Sequence, residues 1–353
     1  MMKSITTLVL LCQIALFFAI PAIAQEKESY ATTQAFEFST DKGLLLNVEL
    51  LLDKSKNPIY YSAHIATEVC SDSLCKPIDL TVYWDLMGRF SDYHTREDRP
   101  LTKFDHIEFT RADGKKLRDI LKDERSMLKD YEAEDMIDRS VKVHSNKMDA
   151  VTGATSKSFQ DVIVPGAVYT VHTLWHIVNG GVADKILGHT KSILNETLIR
   201  WMLRSGNPSY QHFILKELPN DKLKPFSKDM ISLIGSKDEF TPHLAIDKIP
   251  KELWLDTAVQ QEILNYLSNV HLELQNSILL KFKDLKLGSA ELMILLRHVD
   301  KLNANQIEKV VNIFLNNTEF IDENLKKELS ALLINPKPEV AQGAKEILKS
   351  IKK

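Results

Sequence analysis

The chain has 353 residues and a formal net charge of −3, so acidic and basic residues nearly cancel and a nucleic-acid partner is not expected. Its length fits two domains better than one, and a hydrophobic fraction of 44% is ample for globular cores. The 3 cysteines allow at most one internal bridge.

In chain order the first element is an export signal. Lys3, an apolar run from Leu8 to Ile20 and the small-residue stretch Ala22-Ile23-Ala24 follow one another in the order of a secretory leader, with Cys12 inside the apolar core. Cleavage after Ala24 makes residues 1–24 a signal peptide and Gln25 the new N-terminus, giving a periplasmic or secreted protein. No later stretch is apolar enough to span a bilayer, so no transmembrane segment is expected in the mature chain.

Residues 35 to 109 favour strands. "AFEFS", "LLLNVELLL", "PIYYSAHIATEV" and "IDLTVYWDLMGRF" are rich in β-branched and aromatic residues, and "FDHIEF" is a further candidate. The turn-forming Asp53 to Asn57 between two runs predicts an antiparallel hairpin. Cys70 and Cys75 in "VCSDSLCK" are expected to form a structural disulfide in an oxidising compartment; a redox-active pair is the other use, and the CxxCH of a c-type haem is missing. After Asp113 the pattern turns helical, with Leu117, Ile120 and Leu121 on one side, and "VPGAVYTVHTLWHIVNGG" predicts a helix opened by Pro165 and stopped by Asn179-Gly180-Gly181. Its apolar face is Ala167, Val171, Leu174 and Val178.

From about Ala183 strand alternation disappears. Amphipathic segments follow one another, from "KILGHTKSILNETLIRWMLRS" to "PEVAQGAKEILKSI", with breaks at Asn207-Pro208, Gly288-Ser289 and Asn335-Pro336. No repeat period emerges, yet short helices with brief connectors predict a helical-pair solenoid whose surface docks a protein partner. The last segment resembles the second half of a HEAT repeat. The expected division is thus 1–24 signal peptide, 25–182 α+β domain and 183–353 all-α helical-repeat domain.

The stretch with most chemistry is "MDAVTGATSKS", Met148 to Ser158. Small residues let a backbone approach a ligand, and the hydroxyls and amides of Thr152-Gly153-Ala154-Thr155 offer donors to a phosphate at a helix start. The same residues also read as a Thr/Ser-rich helix cap. Asp149-Ala150-Val151-Thr152-Gly153-Ala154-Thr155 resembles the signature of the FMN-binding domain family, found in exported subunits of sodium-translocating NADH:quinone oxidoreductases and Rnf complexes. The resemblance implies an FMN-binding-like α+β domain, FMN as cofactor, a flavin transferase and a redox protein as partners, and electron transfer as the activity. In flavinylated members FMN is joined through its phosphate to a Thr two residues past the pattern's Gly-Ala-Thr. That position is Lys157 here, which has no hydroxyl for a phosphoester, while Ser156 and Ser158 flank it. Lys157 either supplies a positive charge to a phosphate or is a solvated helix-start lysine.

His172 and His176, one helical turn apart, are a minor metal candidate that needs a third ligand such as His144, His94 or His106. Tyr169 and Trp175 are candidates to flank a flavin ring, and Arg89 either meets an acidic ligand or pairs with a local carboxylate. A Gly-x-Ser-x-Gly elbow, a Walker loop and a dinucleotide fingerprint are all missing. The expectation is therefore an exported flavin-carrying electron-transfer protein rather than a substrate-converting enzyme, with a helical docking region. The alternative is a cofactor-free interaction protein that keeps the same fold.

Overall fold

A computed structural model of the protein describes residues 30–70, 75–138 and 154–351. The expected leader and its cleavage point after Ala24 lie outside the described residues, as does His144. The coarse expectation holds: a five-stranded antiparallel sheet is followed by a helical region. Among the described residues no helix is long and apolar enough to cross a membrane.

The sheet is a meander in which β1 (Ala31–Ser39), β2 (Leu45–Leu52), β3 (Pro58–Thr67), β4 (Ile78–Trp84) and β5 (Phe90–Thr95) lie side by side in chain order. Period-two alternation sends one set of side chains to a single face: Leu46, Val48 and Leu50 from β2, Tyr61, Ala63 and Ile65 from β3, Leu80, Val82 and Trp84 from β4. Register keeps that face continuous, since Tyr61 pairs with Trp84 and Ala63 with Val82. The Asp53 carboxylate closes the expected hairpin by accepting from the amides of Ser55 and Asn57, both at 2.8 Å. The run 78–90 is two strands, because Asp85 accepts from Met87 N at 2.8 Å and Arg89 N at 3.0 Å and so folds a turn in its middle. "FDHIEF" is no strand: Phe104–His106 is a 3-10 turn, with His106 at φ 58 breaking the extended path, and a single bridge joins Thr102 to Glu108.

Two helices cover the buried face. α1 (Arg111–Lys122) starts at a capping box between Thr110 and Asp113 and buries Leu117, Ile120 and Leu121 as expected. α2 (Val168–Val178) buries Val171, Leu174 and Val178, with Ala167 at its N-cap, and its last carbonyl, Val178 O, accepts from the Trp84 indole at 2.9 Å. It opens at Val168 rather than at Pro165, because Gly166 holds φ 79 and interrupts any helix there.

The helical region begins with α3 (Gly181–Ser192), which packs on β1 and spans residues 182 and 183. The single long segment expected from Lys185 to Ser205 is two helices, α3 and α4 (Glu196–Arg204), because Asn195 caps the second by accepting from Leu198 N. There follow α5 (Pro208–Glu217), α6 (Asn220–Leu223), α7 (Ser227–Ser232), α8 (Thr241–Lys248), α9 (Thr257–Asn265), α10 (Leu272–Phe282), α11 (Ser289–His298), α12 (Ala304–Leu315), α13 (Glu323–Ala331) and α14 (Pro338–Ile351). They stack in two layers: α4, α7, α9, α11 and α13 touch in succession, and so do α5, α8, α10, α12 and α14.

A period the sequence did not show appears in the polar contacts between neighbouring pairs. Gln261 donates to Glu291, Gln306 to Gln275, Asn317 to the Leu285 carbonyl and Lys309 to Asn276, across 30, 31, 32 and 33 residues. Asn317 is fully buried; its amide also donates to Ile313 O, and its Oδ1 accepts from Leu287 N at 3.0 Å.

The sheet and the first helices of the stack meet directly. The Tyr61 hydroxyl lies 2.8 Å from His189 Nδ1 and 3.0 Å from Thr190 Oγ1 on α3, and burial pushes its pKa up to about 12. Leu86 N donates to the Tyr210 hydroxyl on α5. Arg89 donates to Ser209 Oγ at 2.5 Å and faces Glu124 at 3.6 Å, so it is held by local partners. At Gly88 (φ 79) the β4–β5 turn runs against the Ala183 carbonyl so closely that a Cβ would collide with it.

Candidate functional site

The described part of the Thr-Gly-Ala-Thr segment begins at Ala154; Asp149, Thr152 and Gly153 lie outside the described residues. Ala154 and Thr155 form a short strand, β7 (Ala154–Thr155), paired with β6 (Ile137–Asp138). Ser156 N donates to Met136 O at 2.9 Å, and the Thr155 hydroxyl accepts from Gly166 N at 3.2 Å. These bonds hold the segment's tail against the residues that lead into α2. Beyond them Lys157–Phe159 forms a 3-10 turn that buries Phe159 edge-on against Tyr131 and leaves Lys157 and Ser158 exposed.

Beside this tail is a cleft lined by Lys76, Lys103, Ile137, Gly166, Val168 and Tyr169, among others. Its floor is the start of α2. The N-cap there is Ala167, whose side chain offers no capping acceptor, so the first amides of the helix lack the usual side-chain partner. Gly166 is required: besides its φ of 79, a Cβ there would lie 2.5 Å from the Phe104 ring, and its carbonyl accepts from Phe104 N at 2.7 Å. Lys103 reaches Asp113 at 2.8 Å. Burial opposes ionisation of Asp113, but bonds from Lys103 and Thr110 outweigh it and hold that carboxyl below the usual range. Lys76 has no carboxylate partner among the described residues. A helix start with no side-chain cap, beside the Lys76 ammonium group, is a place where an anion is favoured.

Of the residues singled out from sequence, Thr155 and Tyr169 come together through Gly166, with Tyr169 half-buried in the cleft wall. Ser156, Lys157 and Ser158 sit on the adjoining turn and do not line the cleft. Trp175 is 4% exposed and donates from its indole to Asp123 O at 3.0 Å, so it packs α2 against the end of α1 and is no ring platform. The sequence reading missed Lys76 and Lys103, which the fold alone brings to the start of α2.

His172 and His176 face each other with ring centroids 4.3 Å apart. Each spends its Nε2 on a carbonyl, Tyr131 O at 2.9 Å and Leu128 O at 3.1 Å. Those Nε2 atoms carry the protons, and Nδ1 is each ring's acceptor. Burial lowers both pKa values, so both rings are neutral at pH 7. Their role is to fasten the 127–131 segment to α2, and neither belongs to the potential metal-holding group found among the described residues.

Cys70 and Cys75 are joined through their sulfurs with Cα atoms 5.7 Å apart, and Cys75 reaches the edge of the cleft. Compared with models of protein families, with characterised proteins and with solved structures, the chain matches none.

Proposed function

We propose that the protein is an exported FMN-binding-like electron carrier, active in the periplasm or outside the cell, whose helical stack is a solenoid that docks a protein partner. The reading rests on the resemblance of Asp149–Thr155 to the FMN-binding signature. The observation that carries it furthest is the placing of that segment's tail: Thr155 is tied to Gly166 at the mouth of a cleft whose floor is an uncapped helix start. The lining suits an anion, while the cleft, of about 20 Å³, is far smaller than a flavin, whose ring would lie outside it. The ammonium group of Lys76 beside the start of α2 would meet a phosphate, and the Tyr169 ring offers a flat apolar contact. Bound FMN would supply one- and two-electron transfer, and the chain's part is to fix its position and set its potential. Lys157 at the usual acceptor position favours non-covalent holding, with Ser156 and Ser158 the hydroxyls in reach of a shifted attachment.

The test is intact mass with a visible spectrum on protein exported from cells that contain a flavin transferase. Flavin absorbance that leaves on denaturation, and FMN affinity about tenfold weaker in Lys76→Glu, is the expected result. A mass gain of one FMN less water at Ser156 or Ser158 would support the same function through a covalent link. Colourless protein that gains no mass and ignores added FMN would overturn the reading in favour of a cofactor-free interaction protein with the same fold.

A further inference from the structure

We propose that His243, His271 and Glu273 form a binding site for a transition-metal dication, zinc first among them, that ties two neighbouring helices of the stack together. One ligand atom from each of the three side chains falls in a group whose members all lie within 4.8 Å of one another. They come from different elements: His243 is in the first turn of α8, His271 directly precedes α10, and Glu273 is in the first turn of α10. α8 and α10 are in contact, so the cluster sits across the seam between successive helix pairs. The two imidazoles are 5.1 Å apart between ring centroids and tilted by 48°.

Among the described residues none of the three side chains has a hydrogen bond or ion pair; the one interaction recorded for them is the contact of the two rings with each other. His271 occupies the N-cap position of α10, yet its ring makes no capping bond there. Three ligand groups thus converge with nothing else to do. His172 and His176 differ in that each ring fastens to a main-chain carbonyl and neither falls in a group of three ligand side chains among the described residues.

Two imidazoles and a carboxylate are a donor set for zinc and its neighbours, whereas calcium and magnesium call for oxygen alone. Ligand atoms around a tetrahedral zinc lie about 3.3 Å apart. The cluster need therefore contract by no more than about 1.5 Å at its widest, a change that side-chain rotation supplies where His271 and Glu273 are exposed and His243 is half-buried. The start of α10 disfavours a cation, and the Glu273 carboxylate offsets that field. Three protein ligands leave a fourth position, open here to solvent and available to water or to a side chain of a docked partner.

The experiment uses the full exported chain, without a histidine tag and stripped by a chelator, titrated with zinc against a chromophoric competitor. One tight equivalent is expected, together with a melting temperature that climbs with free zinc and a visible cobalt spectrum of four- or five-coordinate intensity. His271→Ala and Glu273→Gln should each weaken zinc by about tenfold or more, and the double variant should lose the thermal shift while melting like the parent in chelator. Undiminished zinc affinity in the double variant would overturn the proposal. So would binding no tighter than about millimolar, where a site of this kind is no longer specific. Flavin content plays no part in these readouts, so the metal site and the flavin reading fail separately.

Discussion

The sheet and the helical stack solve the same problem, burial of apolar side chains, on different length scales. In the sheet, Trp84 on β4 lies opposite Tyr61 on β3, donates a hydrogen bond from its indole N–H to the Val178 carbonyl and so links residues 94 apart in sequence. In the stack, each helix leans on the one before and the one after, and the polar bonds between pairs repeat at 30 to 33 residues. A defect in the first should therefore spread through the whole sheet, while a defect in the second should stay near its own pair. The chain has 4 tryptophans to report the difference, Trp84 and Trp175 against the sheet and Trp201 and Trp254 within the stack.

Four changes would break or sharpen that contrast. The largest effect is expected from Trp84→Ala, which removes a fully buried indole and its bond and should cost about 4 kcal/mol. Urea unfolding followed through Trp175 should move sharply while a transition followed through Trp201 and Trp254 moves less; equal shifts would mean that the two parts unfold as one. Next comes Asn317→Leu, which strands the Leu287 amide and the Leu285 carbonyl inside the stack, at about 3 kcal/mol. Here the order of the probes should reverse, with native-state hydrogen exchange rising in α11 and α12 before it rises in the strands. Gly166→Ala sets a Cβ against Phe104 at a positive φ and should cost about 2 kcal/mol. Its thermal melt should fall by a few degrees, and FMN uptake should fall with it; an unchanged melt would mean that the entry to α2 is not held as described.

The mildest change is a pH effect. Burial places the folded pKa values of His172 and His176 below the ordinary 6.5, so the unfolded chain binds more protons than the folded one between those values and 6.5. Their stabilising contribution is complete above about pH 6.5 and is lost as the pH falls through the folded values. The melting temperature should drop between pH 7 and pH 5, and drop less in His172→Gln/His176→Gln, where glutamine keeps a donor and cannot titrate. An identical slope in that variant would assign the acid sensitivity to other groups.

Much of this was legible in the residues. The alternation in Leu45–Leu52 and Ile78–Trp84, the Asp53–Asn57 turn and the break at Asn207-Pro208 are local signals, and local structure obeys them, whereas the Asn195 cap was overlooked inside an amphipathic run. β5 was hidden because Leu86 and Met87 extend an apolar run through what Asp85 folds into a turn. "FDHIEF" misled because a period of two describes side chains and says nothing of the positive φ at His106. The short helices α6 and α8 start at Pro219-Asn220 and Thr241-Pro242, where proline reads as a break before it reads as a first turn. The spacing of 30 to 33 residues between bridging side chains left no sequence sign because different residues make the bonds: glutamine, glutamate and asparagine all bridge neighbouring pairs. Lys76 and Lys103 carried no local sign at all, since only the fold sets a strand connection beside the start of α2.

The contact of Gly88 with the Ala183 carbonyl has a mechanical meaning. Side chains absorb small displacements by changing rotamer, but two backbones in direct contact have no such slack. The first helix of the stack, α3, bears on the β4–β5 turn at this point. A shift of α3 here would therefore pass to the β4–β5 turn through the main chain, on the strand pair that carries Trp84.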